Sequence, residues 1–303
     1  MNEVDPLFEV NKRIRSAKFV SRFESIFKCP ICNLPMHVFE LKSLLCSNNH
    51  TFDFARQGYI NLTTRQIQSK YSKKLFEARR KLIIEDGFFK PMNRAITDFI
   101  CQHAPREMEP MSIIDMGCGE GSHLSNICDA MSSYHKKTVT GVGVDISKDG
   151  ISLASRDYDN KIWIVADLVN TPFRDQQFDV ILNILSPSNY AEFNRLLKTD
   201  GIVIKVIPQA GYLQELRKTL FDTPEKQVYS NVDTVELFSA NYQVIDCLRS
   251  SYTVTLNRSS VHSLLMMTPL SWDATENQIR TFLKEESTEV TVDLDVLVGK
   301  RRN

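Results

Sequence analysis

Cys29-Pro30-Ile31-Cys32 is followed by Cys46 and His50, so a C-x2-C pair and a C-x3-H pair stand 13 residues apart. A hairpin that brings the two pairs together would offer three thiolates and an imidazole to one ion, the tetrahedral set that structural zinc prefers. Four protein ligands leave no open position for water, which argues against a hydrolytic metal. His37 lies between the pairs with no matching spacing and reads as an exposed loop residue.

A second cluster could hold an organic ligand. Ser112 to Met116 is an apolar strand that runs through Gly117-Cys118-Gly119-Glu120-Gly121 into Ser122 and His123, where a helix should start. Glycines let a ligand approach the backbone, and the helix start offers N–H groups to a carboxylate. The dinucleotide fingerprint spaces its glycines G-x-G-x-x-G. Here they fall as G-x-G-x-G with Asp115 two residues ahead, the ordering usual in S-adenosylmethionine enzymes. Asp115 and Glu120 would meet the ligand's ammonium or orient the turn, and Gly117 to His123 would line its methionine part. Asp145, closing Gly141-Val142-Gly143-Val144-Asp145, is placed to accept from a ribose diol. Asp167, after Trp163 to Ala166, could accept from an adenine amino group. Cys118 reads as a small packing residue, since no histidine partner is implied. After the fourth strand, Asn183 to Tyr190 lacks the Asn-Pro-Pro-Tyr form of exocyclic-amine methylases, and Asn183 and Ser186 fit either a ligand contact or a plain turn.

The elements that must position these residues alternate in the order of a doubly wound α/β domain. Strands are expected at 112–116, 139–145, 161–165, 178–184 and 201–207, with helices at 122–132, 147–156 and 188–197. Further helical stretches fit near 234–240, 259–267 and 276–286, and a last strand near 290–298. The fold class is therefore α/β, a Rossmann-like class I S-adenosylmethionine methyltransferase domain behind a small zinc-ribbon-like module. We divide the chain into a basic amphipathic N-terminal extension (1–26), the zinc module (27–62), a basic connector (63–90) and the methyltransferase domain (91–303). Between Arg65 and Lys81 seven basic residues face one acid, Glu77. Such a run is either a phosphate-contacting strip or a solvated linker, with Arg79 and Arg80 alternatively packed on the catalytic domain.

Composition fits a globular protein: 303 residues, 42% hydrophobic, with 37 basic and 37 acidic side chains. A net charge of zero means that any nucleic-acid site must be a local patch. Glu3, Asp5 and Glu9 break the order of a secretory signal, and no stretch approaches the roughly 20 apolar residues of a membrane span, so a cytoplasmic location without membrane association is expected. The seven cysteines are then thiols or metal ligands.

With these motifs in place, the chain resembles the RlmA group of 23S rRNA guanine-N1 methyltransferases, which includes members linked to tylosin-type macrolide resistance. The likeness runs from about Phe27 to the C-terminus and rests on the zinc cluster with His50-Thr51-Phe52-Asp53, on Gly58-Tyr59-Ile60-Asn61-Leu62, Ala78-Arg79-Arg80 and Asp115 to Gly121, and on Met267-Thr268-Pro269 with Trp272. It implies zinc on Cys29, Cys32, Cys46 and His50, S-adenosylmethionine around Gly119 to His123 and Asp145, 23S rRNA as substrate and a homodimer. It also implies cofactor contacts at Phe89 and Tyr212, where well-known members carry Tyr and His. A guanine N1 must leave its pairing to be methylated and must lose its proton, and no residue identifies itself as the acceptor. Two other functions fit parts of the sequence: a small-molecule methyltransferase with a structural zinc ribbon, and an RNA-binding protein that keeps the fold without the activity.

Overall fold

A computed structural model describes residues 11–65, 71–104, 110–221 and 229–302. Helix α1 (Lys12–Val20) starts at Asn11, whose side chain accepts from the Arg13 N–H, and buries Ala17 and Val20. It is shorter than the amphipathic extension expected over 1–26, of which residues 1–10 lie outside the described residues. Strands β1 (Met36–Phe39), β2 (Ser43–Cys46) and β3 (Thr51–Asp53) form an antiparallel three-stranded sheet in that order. His37 is exposed as expected, but it sits in β1 rather than in a loop. The chain then enters β4 (Ile60–Asn61), which leaves this small sheet and pairs in parallel with the large one.

Residues 71–90 of the expected basic connector carry helical turns with buried apolar side chains. Ser72 caps α2 (Lys73–Arg80), and Leu75, Phe76 and Ala78 are buried. A wide π turn over 81–85 follows, burying Leu82 and Ile83, and leads to α3 (Lys90–His103). The basic residues hide an apolar stripe: Leu75 and Leu82, like Phe76 and Ile83, fall seven apart on one helical face.

The large sheet carries β5 (Met111–Met116), β6 (Val139–Asp145), β7 (Lys161–Val165), β8 (Phe178–Ile184), β9 (Leu197–Pro208), β10 (Tyr242–Asn257) and β11 (Ser287–Arg301) in the order β10-β11-β9-β8-β5-β6-β7-β4. Strands β4 to β9 run parallel, and β11 enters antiparallel between β9 and β10. This is the class I methyltransferase sheet. Its order reverses between β5 and β8, so ligand-binding loops gather at the C-terminal ends of β5, β6 and β8. The helices α4 (Ser122–Tyr134), α5 (Lys148–Asp157), α6 (Tyr190–Leu196), α7 (Gln214–Leu220), α8 (Val232–Asn241), α9 (Arg258–Met267) and α10 (Glu276–Phe282) complete the chain. Strand β10 was not expected from sequence. It is an edge strand with mostly exposed side chains, so it lacks the apolar run of the central strands.

Alternate residues of the strands feed two cores, one on each face. Ile113 and Val180 join Phe88, Phe89, Met92 and Leu124 on one side. Ile114, Val142 and Ile164 join Phe27, Cys29, Leu44, Cys46 and Phe54 on the other. The zinc module therefore shares its core with the sheet. Backbone bonds reinforce the seam, with Lys28 N–H donating to Pro172 O and Arg174 N–H to Ile26 O. Among the described residues, no helix is long and apolar enough to cross a membrane.

Candidate functional site

The four sequence-expected metal ligands converge. The turn after Cys29 and the β2 to β3 hairpin bring the Sγ atoms of Cys29, Cys32 and Cys46 and one His50 nitrogen to within 4.8 Å of one another. Cys29 Sγ and Cys46 Sγ lie 3.4 Å and 3.5 Å from His50 Nδ1, and Cys32 Sγ lies 3.6 Å from Cys46 Sγ. Thiolates about 2.3 Å from a tetrahedral zinc stand about 3.8 Å apart, so the donor set fits the ion in kind and in spacing.

The glycine-rich turn between β5 and α4 lies where the sheet order reverses. Gly117, Gly119 and Gly121 all have left-handed backbones, with φ of +91°, +58° and +80°. A Cβ at each would strike a different side chain: Ser186 at Gly117, Arg79 at Gly119 and Trp163 at Gly121. The motif is thus needed twice, for backbone shape and for close approach. Asp145 holds the turn, with Oδ2 accepting from the Gly119 N–H and Oδ1 from the Ser147 N–H, both at 2.8 Å. Each carboxylate oxygen can accept a second bond, so capacity for a diol remains.

Asp115 and Glu120 are buried against this turn. Burial pushes the Asp115 carboxyl up to about 7 against the pull of Arg79, with the like charges of Asp145 and Glu120 adding to the rise. Burial also raises Asp145, against the backbone N–H bonds that hold it. His123 is kept neutral by burial and by Arg79, and its Nδ1 lies 2.9 Å from Asn93 Oδ1, an acceptor, so Nδ1 carries the hydrogen. Asp115 Oδ1, both Glu120 oxygens and His123 Nε2 are left buried without a hydrogen-bond partner among the described residues. Orphaned acceptors call for a missing donor. Four of them around one turn suit an α-ammonium group, and with Asp145 below them the residues present fit S-adenosylmethionine.

The remaining expected residues take more varied places. Cys118 is buried and burial drives its thiol well up, which fits a packing residue. Ser122 Oγ lies 2.9 Å from the Tyr158 hydroxyl. Phe89 is buried with its ring edge-on to His123, the centroids 5.2 Å apart. Tyr212 is buried within electrostatic reach of Arg79. Asp167 accepts from the Val169 N–H and pairs with Arg65 at 2.7 Å. Asn183 is saturated: Nδ2 donates to Met116 O and Pro187 O, and Oδ1 accepts from Ser188 Oγ and Lys205 Nζ. Its side chain has no bond left for a ligand, and its work is to hold the loop after β8.

Two residues enter that sequence reasoning did not assign. Lys205, buried in β9, reaches Asn183 Oδ1 at 2.7 Å, Ser188 Oγ at 2.6 Å and Ser186 O at 3.5 Å. Burial brings it down to about 8, so at neutral pH it is chiefly an ammonium with three acceptors. It fastens the 183–188 loop, in which Leu185 has a left-handed φ of +51° and Ser186 Oγ faces Gly117. A lysine inside the apolar run Gly201-Ile202-Val203-Ile204-Lys205-Val206-Ile207 was the signal. The other is Arg79, at the turn itself. Its neighbours in the basic run also turn inward, Arg80 to Asp157 at 2.9 Å and Lys81 to Ser260 at 2.8 Å. Arg79 and Arg80 therefore pack on the catalytic domain. Lys73 and Lys74 are exposed, and Lys70 lies outside the described residues.

Residues 27–73 match the zinc-ribbon family described as RlmA, N-terminal, and residues 113–201 match a methyltransferase domain. YxjB of Bacillus subtilis, named as a 23S rRNA (guanine-N1)-methyltransferase, is 45% identical over 278 residues, covering 91% of this chain and 98% of that protein. The 23S rRNA (guanine(748)-N1)-methyltransferase of Streptomyces fradiae is 26% identical over 85% of this chain and 90% of its own length. The fatty-acid O-methyltransferase of Mycolicibacterium smegmatis is 24% identical over 48% of this chain and 56% of its own.

Proposed function

The chain belongs to the family that joins an RlmA zinc ribbon to a methyltransferase domain, and on that premise we propose that it methylates N1 of a guanine in a hairpin loop of 23S rRNA. One observation carries this reading: the likeness to the B. subtilis relative spans both modules and 98% of that protein's length. The fatty-acid relative covers only 48% of this chain, which disfavours a small-molecule acceptor. The intact turn with Asp115, Glu120 and Asp145 disfavours an RNA-binding protein without activity.

S-adenosylmethionine supplies an electrophilic methyl group on a sulfonium. The chain's own residues bind and orient it. Asp115, Glu120 and His123 would answer its ammonium, Asp145 its ribose, Asp167 the adenine edge, and Phe89 and Tyr212 would pack beside it. The loop fastened by Asn183 and Lys205 stands over the turn through Ser186 and would hold the guanine in line while excluding water. Zinc on Cys29, Cys32, Cys46 and His50 shapes the ribbon and does not enter the chemistry. Exposed Lys73 and Lys74, with the exposed rings of Tyr71 and Trp272 packed edge to face at 5.7 Å, offer charge and a stacking surface to an RNA strand. The proposal extends to a homodimer, a cytoplasmic location beside the ribosomal substrate, and an influence on macrolide sensitivity, each supported by the family resemblance.

Labelled cofactor incubated with deproteinised ribosomal RNA and, separately, with a total small-molecule extract tests the reading. Label is expected in 23S rRNA, at a guanine whose N1 methyl stops reverse transcription. Label in the small-molecule arm, or a methylated base that still pairs, would overturn it.

A further inference from the structure

The acids at the turn need a cation whenever they are ionised. Asp115 and Glu120 are buried, half-buried Asp145 lies within electrostatic reach of both, and unpaired buried carboxylates are costly. In this structure Arg79 answers them from α2. Its guanidinium lies over Gly119, close enough that a Cβ there would strike Nη1, and its Nε stands 3.4 Å from Glu120 Oε2. Phe76, one turn earlier on the same helix, touches the same glycine and faces Gly150. Yet no hydrogen bond closes the ion pair, since both Glu120 oxygens lack a partner. Arg79 is held by the field of the acids, not by the two-pronged geometry in which guanidinium and carboxylate bind best.

An amino-acid ligand changes that balance. Its ammonium answers the orphaned acceptors of Asp115, Glu120 and His123. Its carboxylate arrives within electrostatic reach of three acids and requires a cation of its own. Resting on the cofactor reading above, we propose that Arg79 binds the carboxylate of the S-adenosylmethionine amino-acid end, giving up its place beside Glu120 to the ligand's ammonium. Arg79 is then a cofactor-binding residue carried by the covering helix, and it serves as counter-ion to the acids until the ligand arrives. The N–H groups at the start of α4 are the rival carboxylate site, and they would discriminate without Arg79.

The test compares two ligands that differ in the carboxylate alone. By calorimetry, the wild-type chain should bind S-adenosylmethionine at least about tenfold more tightly than its decarboxylated form, as one or two charge-assisted bonds require. In Arg79→Met that ratio should fall to within about twofold, while 5′-methylthioadenosine, which lacks the amino-acid end, binds both chains alike. Should Arg79→Met fail to fold, Arg79→Lys keeps the counter-charge without the planar fork, and its ratio should drop below that of the wild type. A wild-type ratio retained in the variants, or tighter S-adenosylmethionine binding by Arg79→Met, would overturn the proposal and leave the cofactor reading intact. A wild-type chain that binds neither ligand would overturn both.

Discussion

The zinc cluster and the cofactor turn are built on opposite plans. All four metal ligands fall between residues 29 and 50, and local turns bring them together. The cofactor site draws its acids from the ends of β5 and β6, its loop from β8, the lysine that fastens that loop from β9, and its covering arginine from α2, more than thirty residues before the turn. A short-range site is complete in its spacing. A long-range site announces only the part that its glycines and strand-end acids carry.

The sharpest way to break this contrast is to remove the metal. Structural zinc contributes on the order of 10 kcal/mol to small ribbon folds. The double variant Cys29→Ser, Cys46→Ser should lose its single zinc and the order of residues 29–53, whereas β5 and β6 should stay folded. Elemental analysis and hydrogen exchange read the two outcomes separately. Fast exchange in β5 would mean that the shared core makes the sheet depend on the metal, and the two sites would no longer be independent.

The next effect concerns the loop. Lys205→Met removes the three bonds that hold 183–188 while leaving the glycine turn and Asp145 in place. We expect the methyl-transfer rate to fall about tenfold to a hundredfold, the scale of a reacting group misplaced by about 1 Å, with cofactor affinity within about twofold of wild type. Single-turnover kinetics beside calorimetry give the split. An equal loss in both would make Lys205 a general packing residue.

Arg79 and Asn183 show what the sequence conceals. The metal cluster, the glycine turn and the strand-end places of Asp115 and Asp145 are legible in the spacing because each sits in a short local pattern or at the end of an apolar strand. Arg79 reads from sequence only as a phosphate contact or as a residue packed on the catalytic domain, because nothing marks it for the turn among the seven bases of its run. Its apolar stripe at Leu75, Phe76, Leu82 and Ile83 was present but interleaved with charge. Asn183 was expected near the ligand. Its four internal bonds depend on Met116, Pro187, Ser188 and Lys205 meeting in space, which no local pattern encodes. Strand β10 escaped for the reason that edge strands do, since only one partner strand and little burial constrain its residues.

A smaller effect is expected from pH. Asp115 has its folded carboxyl raised to about 7, above an unfolded value of about 3.9. The unliganded fold should therefore lose stability as pH climbs from about 4 through about 7. A ligand cation favours the ionised form, so binding should release a proton below about pH 7 and tighten with rising pH, by at most about tenfold per unit, then level off. Calorimetry in buffers of different ionisation heat measures that release, and Asp115→Asn should abolish it. Proton uptake on binding would have the wrong sign for this site.

The smallest effect belongs to three lysines of the basic run. Replacing Lys70, Lys73 and Lys74 with Gln should flatten the salt dependence of RNA binding by about 0.7 per lost contact to single-stranded RNA, with cofactor affinity unchanged. An unchanged slope would move the RNA footprint to the ribbon.

Strand β4 is two residues long, yet it occupies the open side of β7, pairing Ile60 with Ile164 and Asn61 with Val165. Lys161-Ile162-Trp163-Ile164-Val165 is the kind of flat, apolar strand that recruits other chains when its backbone is bare. The two-residue strand that follows the ribbon thus covers the β7 edge of the sheet. Loss of β4 from this edge should therefore show as self-association through β7, read by light scattering, with the glycine turn unchanged.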